Sequence, residues 1–249
     1  IKSSAASDVY KRQVYDQKDQ ANLTPEQSKL LEKVYNSFVR SGANLEGEAK
    51  EQYRALSKEL SLLTLQFGEN NLKETNDYKL VLTDPAQLAG LPQSAIDAAA
   101  ETAKEKGVEG WVFTLQAPSY SPFMTYASNR DLRCKLYMAY NTKCTHDNET
   151  NNLEIVKKLV NTRLAIAQLL GYSSFAEYNL QERMAENSGN VYKLLDQLLD
   201  AYTPTAKQEY AEVEALARQL EGSDFTVMPW DWSYYSHKLK DQKFQIDDE

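Results

Sequence analysis

The chain has 249 residues, with 28 Lys and Arg against 36 Asp and Glu, two His and two Cys. A net charge of −8 argues against nucleic acid as a partner, because phosphate neutralisation by basic residues supplies most of a duplex binder's affinity. Nine Gly and seven Pro are about half the usual ~12% share, which argues against turn-rich β architectures and for long helices.

Residues 1–13 show no apolar periodicity, and the string from Ser4 to Gln13 resembles a translated cloning adapter. They are expected to be a non-native leader, with residues 14–249 as the protein proper. The first clear helix opens at Thr24-Pro25-Glu26-Gln27: Thr24 suits the N-cap, Pro25 the first turn, and Gln27 completes a capping box. Leu30, Leu31, Val34, Tyr35 and Phe38 follow at helical spacing, and Ser41-Gly42 ends the helix. A longer helix spans roughly 46–73. Its seam of Tyr53, Leu56, Leu60, Leu63 and Phe67 is expected to pack antiparallel on the first helix.

The stretches 78–82 and 111–115 are strand candidates that can pair as a ribbon. Between them come a short helix from Asp84-Pro85 and an alanine-rich one over 92–106, stopped by Gly107. A two-stranded ribbon is marginal alone, so it must lean on the helices. Ala117 to Pro122 is expected to be a connector broken by its prolines. Helices are predicted over 129–141, with Leu132, Leu136 and Tyr140, and over 151–170, ended by Gly171. A shorter one, capped by Ser173 or Ser174, should run to Met184. The helix over 190–220 should break or kink at Pro204, and the last, over 230–240, should be capped by Asp231. The fold class is therefore mainly α, a multi-helix array with a small two-stranded ribbon. No apolar run approaches the ~20 residues of a membrane span.

No catalytic apparatus is visible. Zinc hydrolysis usually takes three protein ligands, commonly two His one helical turn apart plus a carboxylate. His146 and His237 are far apart, lack a Glu-x-x-His context, and are flanked by polar residues. They read as solvated side chains. Cys134 and Cys144, both placed on helix, read as free thiols without a chemical role, and Cys144 is not paired with His146 as nucleophile and base. The paired acids Glu46/Glu48 and Asp247/Asp248 read as solvated faces. The aromatic run Trp230-Asp231-Trp232-Ser233-Tyr234-Tyr235 reads as a capped helix with rings packed beneath it, more than as a substrate rim. No glycine-rich phosphate loop or nucleophile elbow occurs.

Several motifs in register nevertheless carry a resemblance. They are Leu60 to Asn70 (LSLLTLQFGEN), Asp84 to Pro92 (DPAQLAGLP) and Gly110 to Gln116 (GWVFTLQ). Pro118-Ser119-Tyr120 then leads to Asn129-Arg130-Asp131-Leu132-Arg133, and Pro229 to Tyr235 (PWDWSYY) closes the series. From about Val14 to Glu249 the chain resembles the N-terminal part of the thimet oligopeptidase, neurolysin and peptidyl-dipeptidase family of zinc metallopeptidases, the bacterial peptidyl-dipeptidase branch above all. The resemblance implies a helical wall of a deep channel for short unstructured peptides. In the whole enzyme it implies zinc as the cofactor, held by a His-Glu-x-x-His motif and a downstream Glu. This chain stops before that motif, so no catalytic or metal-binding residue carries over to it, and its substrate-binding residues are unassigned. The expected partners are short peptides and the C-terminal catalytic half, with no nucleic acid and no membrane. An apolar surface is expected where that half packs. Two free thiols fit the cytoplasm, with the periplasm left open. The other reading is a free-standing helical module that binds peptides or a protein partner without catalysis.

Overall fold

The computed structural model describes residues 12–245. The leader expected over residues 1–13 falls outside them as far as residue 11, and residues 12 and 13 lie in a helical turn over 12–16. The described chain is mainly α and divides into two compact units, residues 12–64 with 157–188, and residues 65–156 with 189–245.

The first unit contains helix α1, Pro25–Arg40, and the first part of α2, Gly47–Asp77. The capping box forms as predicted: the Gln27 amide donates to Thr24 Oγ1, and the Thr24 amide donates to Gln27 Oε1. The predicted stripe is only half-covered. Leu31, Tyr35 and Phe38 are half-buried, whereas Leu30 is 64% exposed. Along the α2 seam Tyr53, Leu56 and Leu60 are half-buried and Leu63 is buried. The chain returns to this unit through the later part of α6, Leu153–Leu169, whose Leu159 and Ile166 are buried. A short helix α7, Phe175–Leu180, follows. Ser174 caps it by accepting from the Glu177 amide, and it ends before the predicted Met184.

The second unit holds the ribbon. Strands β1, Leu80–Leu82, and β2, Trp111–Phe113, pair antiparallel with Val81 opposite Val112. Leu80 and Leu82 are buried while Val81 is exposed, the period-2 signature of a half-covered strand. A 3-10 turn, Pro85–Leu88, and helix α3, Gln93–Glu105, connect the strands, and α3 lies against β2. The ribbon therefore leans on a helix, as its small size requires. Its buried leucines join Phe113, Phe123, Met124 and Leu136 in one core.

Three expectations are corrected here. The segment predicted as a connector is helix α4, Ala117–Tyr126, with Pro122 inside it. Pro118 occupies the first turn, where its missing N–H is no loss. The Gln116 carbonyl accepts from the Ser119 and Tyr120 amides, and Phe123 and Met124 bury the next turn. Pro122 thus forgoes a single helical bond in exchange for core packing. Helix α5 spans Arg130–Asn141, and Cys144 lies beyond it in a turn at φ 58°, not on a helix. Helix α8, Ser188–Glu221, is continuous through Pro204, so of the expected break or kink the break is absent. The carbonyl freed by that proline belongs to exposed Asp200, where water can satisfy it.

The turn before β2 supplies a stability test. Gly107 and Gly110 both have positive φ, but a Cβ at Gly107 meets open space, whereas one at Gly110 would sit 2.1 Å from the Leu82 carbonyl oxygen. Gly107→Ala should cost ~1–2 kcal/mol for its left-handed backbone alone. Gly110→Ala should cost clearly more, read as the difference in urea midpoints between the two variants.

Candidate functional site

The residues singled out in the sequence are not brought together. His146 lies in the loop after α5, its side chain 55% exposed and Nε2 3.9 Å from Glu74 Oε1. His237 is on the last helix, α9, Trp232–Phe244. It is not solvated as expected: its side chain is only 16% exposed, Nε2 lies 3.1 Å from Asp241, and the ring meets Tyr126 edge-on. Helical periodicity around a lone His does not reveal which aromatic ring covers it. Both cysteines are free. Among the described residues no group of three His, Cys, Asp or Glu side chains is placed to hold a metal ion.

Two polar centres organise the second unit, and the sequence had marked neither as a site. The first is Glu74 near the end of α2. Its carboxylate accepts from the Cys144 amide at 2.6 Å and from Thr150 Oγ1 at 3.0 Å. Asn152 Nδ2 donates to the Phe67 carbonyl, and Asn70 donates to Asn152 Oδ1. The loop between α5 and α6 is thus tied to one face of α2. Burial, with Glu74 alongside, pushes the Cys144 thiol up to about 11. At neutral pH it is a protonated thiol, which is a poor nucleophile.

The second centre is Asp231, fully buried just ahead of α9. The sequence assigned it to helix capping, but its side chain makes no capping bond. The carboxylate accepts instead from Arg130 Nη2 at 2.7 Å, Arg133 Nη2 at 2.9 Å and the Met228 amide at 3.0 Å. Arg133, also buried, donates in addition to the carbonyls of Ala127, Ser128 and Trp230. Its guanidinium stands 4.1 Å from the Tyr234 ring centre. Burial alone would raise the Asp231 pKa. The hydrogen bonds from Arg130, Met228 and Arg133 outweigh it and hold the carboxyl below the ordinary aspartate range. Tyr234 and Tyr235 pack beneath, as expected of the aromatic run, while Trp232 stays partly exposed and parallel to Tyr210. The Arg130–Arg133 and Trp230–Asp231 motifs were visible in the sequence. Their pairing across about a hundred residues was not.

In the first unit a polar cleft of about 380 Å³ lies among Lys29, Lys33, Arg40, Tyr172, Gln181 and Glu182. Arg40 is already engaged there, donating to the Tyr178 carbonyl at 2.6 Å and to Gln181 Oε1 at 3.0 Å, with its guanidinium over the Tyr178 ring. The cleft carries both signs of charge and no nucleophile.

With this geometry in place, comparison with known proteins supplies the class. The sequence pattern of peptidase family M3 matches residues 123–249, just over half of the chain. Oligopeptidase A of Escherichia coli is 35% identical over 96% of this chain and 35% of its own length. Oligopeptidase A of Haemophilus influenzae is 34% identical over 92% of this chain and 34% of its own length. Dipeptidyl carboxypeptidase of E. coli is 29% identical over 94% of this chain and 34% of its own length. The chain belongs to peptidase family M3. It spans about a third of the length of the curated relatives it matches, and the peptidyl-dipeptidase branch is not favoured over oligopeptidase A. Family M3 peptidases are generally zinc metallopeptidases. The described residues do not fit that ion, since no three ligating side chains come together among them and the two His lie in separate settings.

Two measurements test these centres. Asp231→Ala leaves Arg133 buried without its counter-charge and should cost ~3–5 kcal/mol in chemical denaturation. Because the folded Asp231 pKa is depressed, its stabilisation is fully present above the unfolded value near ~3.9 and fades as pH falls below it. Asp231→Asn should therefore narrow the stability gap to wild type as pH drops from 5 to 3. In thiol titration of the folded chain, Cys144 should react far more slowly than Cys134, and equal rates would contradict the buried, protonated thiol.

Proposed function

We infer that this chain is the N-terminal helical region of a longer zinc peptidase of the oligopeptidase or peptidyl-dipeptidase type, and that it forms one wall of the channel admitting short peptides. The observation that carries the reading is the asymmetry of the matches: nearly all of this chain aligns with only about a third of each oligopeptidase A. A wall is also what the described residues can supply. They offer long helices, a ribbon held on its core, and buried ion pairs that stiffen it, with no metal-ligand grouping. On this reading the zinc site lies in the remaining length, and residues 12–245 enclose the peptide and exclude bulk water from it. No helix of the described residues is long and apolar enough to cross a membrane. The two free thiols fit the cytoplasm, although relatives carry both cytosolic and organellar names.

The purified 249-residue chain should hold no stoichiometric zinc by elemental analysis and should cleave no fluorogenic peptide. Zinc-dependent hydrolysis by the chain alone would overturn the reading. The encoding DNA decides the fragment question separately. An open frame running on from the Glu249 codon into a His-Glu-x-x-His motif supports it, and a stop codon directly after Glu249 favours the free-standing module.

A further inference from the structure

Helix α8 has two unlike halves. Its C-terminal half is packed: Val213 and Ala217 are buried with Val227, Tyr234 and Tyr235. Its N-terminal half, before Pro204, is apolar but uncovered. Tyr192, Leu194, Leu195, Leu198, Leu199 and Tyr202 are all between 37% and 66% exposed. At 3.6 residues per turn these six side chains fall on one arc, wider than the ~100° stripe that marks a core-facing helix. Lys193, Asp196 and Asp200, the charged residues between Tyr192 and Tyr202, fall on the opposite side. Single exposed leucines are ordinary, but a contiguous apolar face of this size on one helix marks an interaction surface.

The geometry points to this face as the surface on which the catalytic remainder of the M3 polypeptide docks. The inference rests on the fragment reading above and adds the location. Two observations select this occupant over a second copy of the chain. The relatives extend for about two thirds of their length beyond what this chain matches, which supplies a covering segment. Moreover, α8 lies wholly inside residues 123–249, the stretch matched by the family pattern, so it belongs to the family's shared architecture and not to a private extension. A segment of the same polypeptide also avoids the loss of translational freedom that a second copy would incur on docking.

The test co-expresses the tagged chain with the part of E. coli oligopeptidase A that it does not match. The comparison is between wild type, Leu195→Glu/Leu199→Glu on the apolar face, and Lys193→Ala/Gln197→Ala on the opposite face. Wild type and the opposite-face variant should recover the partner, and the apolar-face variant should recover at least tenfold less. Separately, ANS fluorescence of the isolated wild-type chain should be high and should fall severalfold in the apolar-face variant alone. Neither leucine is buried, so all three chains should share one thermal midpoint within a few degrees. Equal recovery by all three chains overturns the docking face and leaves the fragment reading standing. Failure of wild type to recover the partner also overturns the docking face, and the reading-frame test then decides the fragment question independently. A wild-type dimer dissolved by the apolar-face substitutions assigns the face to a second copy and overturns the inference.

Discussion

The second unit of this molecule is organised around one buried carboxylate. Asp231 is removed from water completely, a state that costs several kcal/mol unless counter-charge and hydrogen bonds replace the solvent. Arg130 and Arg133, one turn apart on α5, supply both. Arg133 spends its remaining donors on the carbonyls of Ala127, Ser128 and Trp230, so the chain entering α5 and the chain entering α9 are held by a single guanidinium. Arg130 also donates to the Thr226 carbonyl, securing the extended stretch after α8. The rings of Phe225 and Tyr234 stack on the two guanidinium groups. They shield the ions from water and strengthen the electrostatics that hold them. The core formed by β1, β2, α4 and α5 and the cluster beneath α9 meet at this ion group.

The same unit shows a division between what is finished and what is left open. The ribbon core and the cluster beneath α9 are built of buried side chains, and the Glu74 centre secures the loop after α5. The first half of α8 is the opposite, an amphipathic helix without a covering layer. This face belongs to a family member that spans about a third of its relatives' length.

Local signals in the chain were read correctly where they depend on a few neighbouring residues. Thr24 caps the helix that follows it, and of the two serines offered for the short helix it is Ser174 that caps it. The two β-rich stretches paired as expected because little else in the chain favours a strand. The connector reading of Ala117 to Pro122 failed because proline propensity is a local rule, and Pro122 is tolerated where Phe123 and Met124 gain full burial. The expected break at Pro204 is likewise absent, since the carbonyl it frees, on exposed Asp200, can be satisfied by water. His237 looked solvated because its sequence neighbours are polar, but its cover comes from Tyr126 on a different helix.

The sequence by itself determined the helical class, most element boundaries, the ribbon, and membership of a peptidase family, because caps, turn residues and motif order are written within short spans of chain. Tertiary structure decided the role of Asp231, the tether at Glu74, the state of Cys144, and the contrast between the two halves of α8. Each of these depends on which groups lie within a few ångströms after folding. The arginine partners of Asp231 sit about a hundred residues earlier in the chain and the partners of Glu74 about seventy later, and no local pattern records such distances.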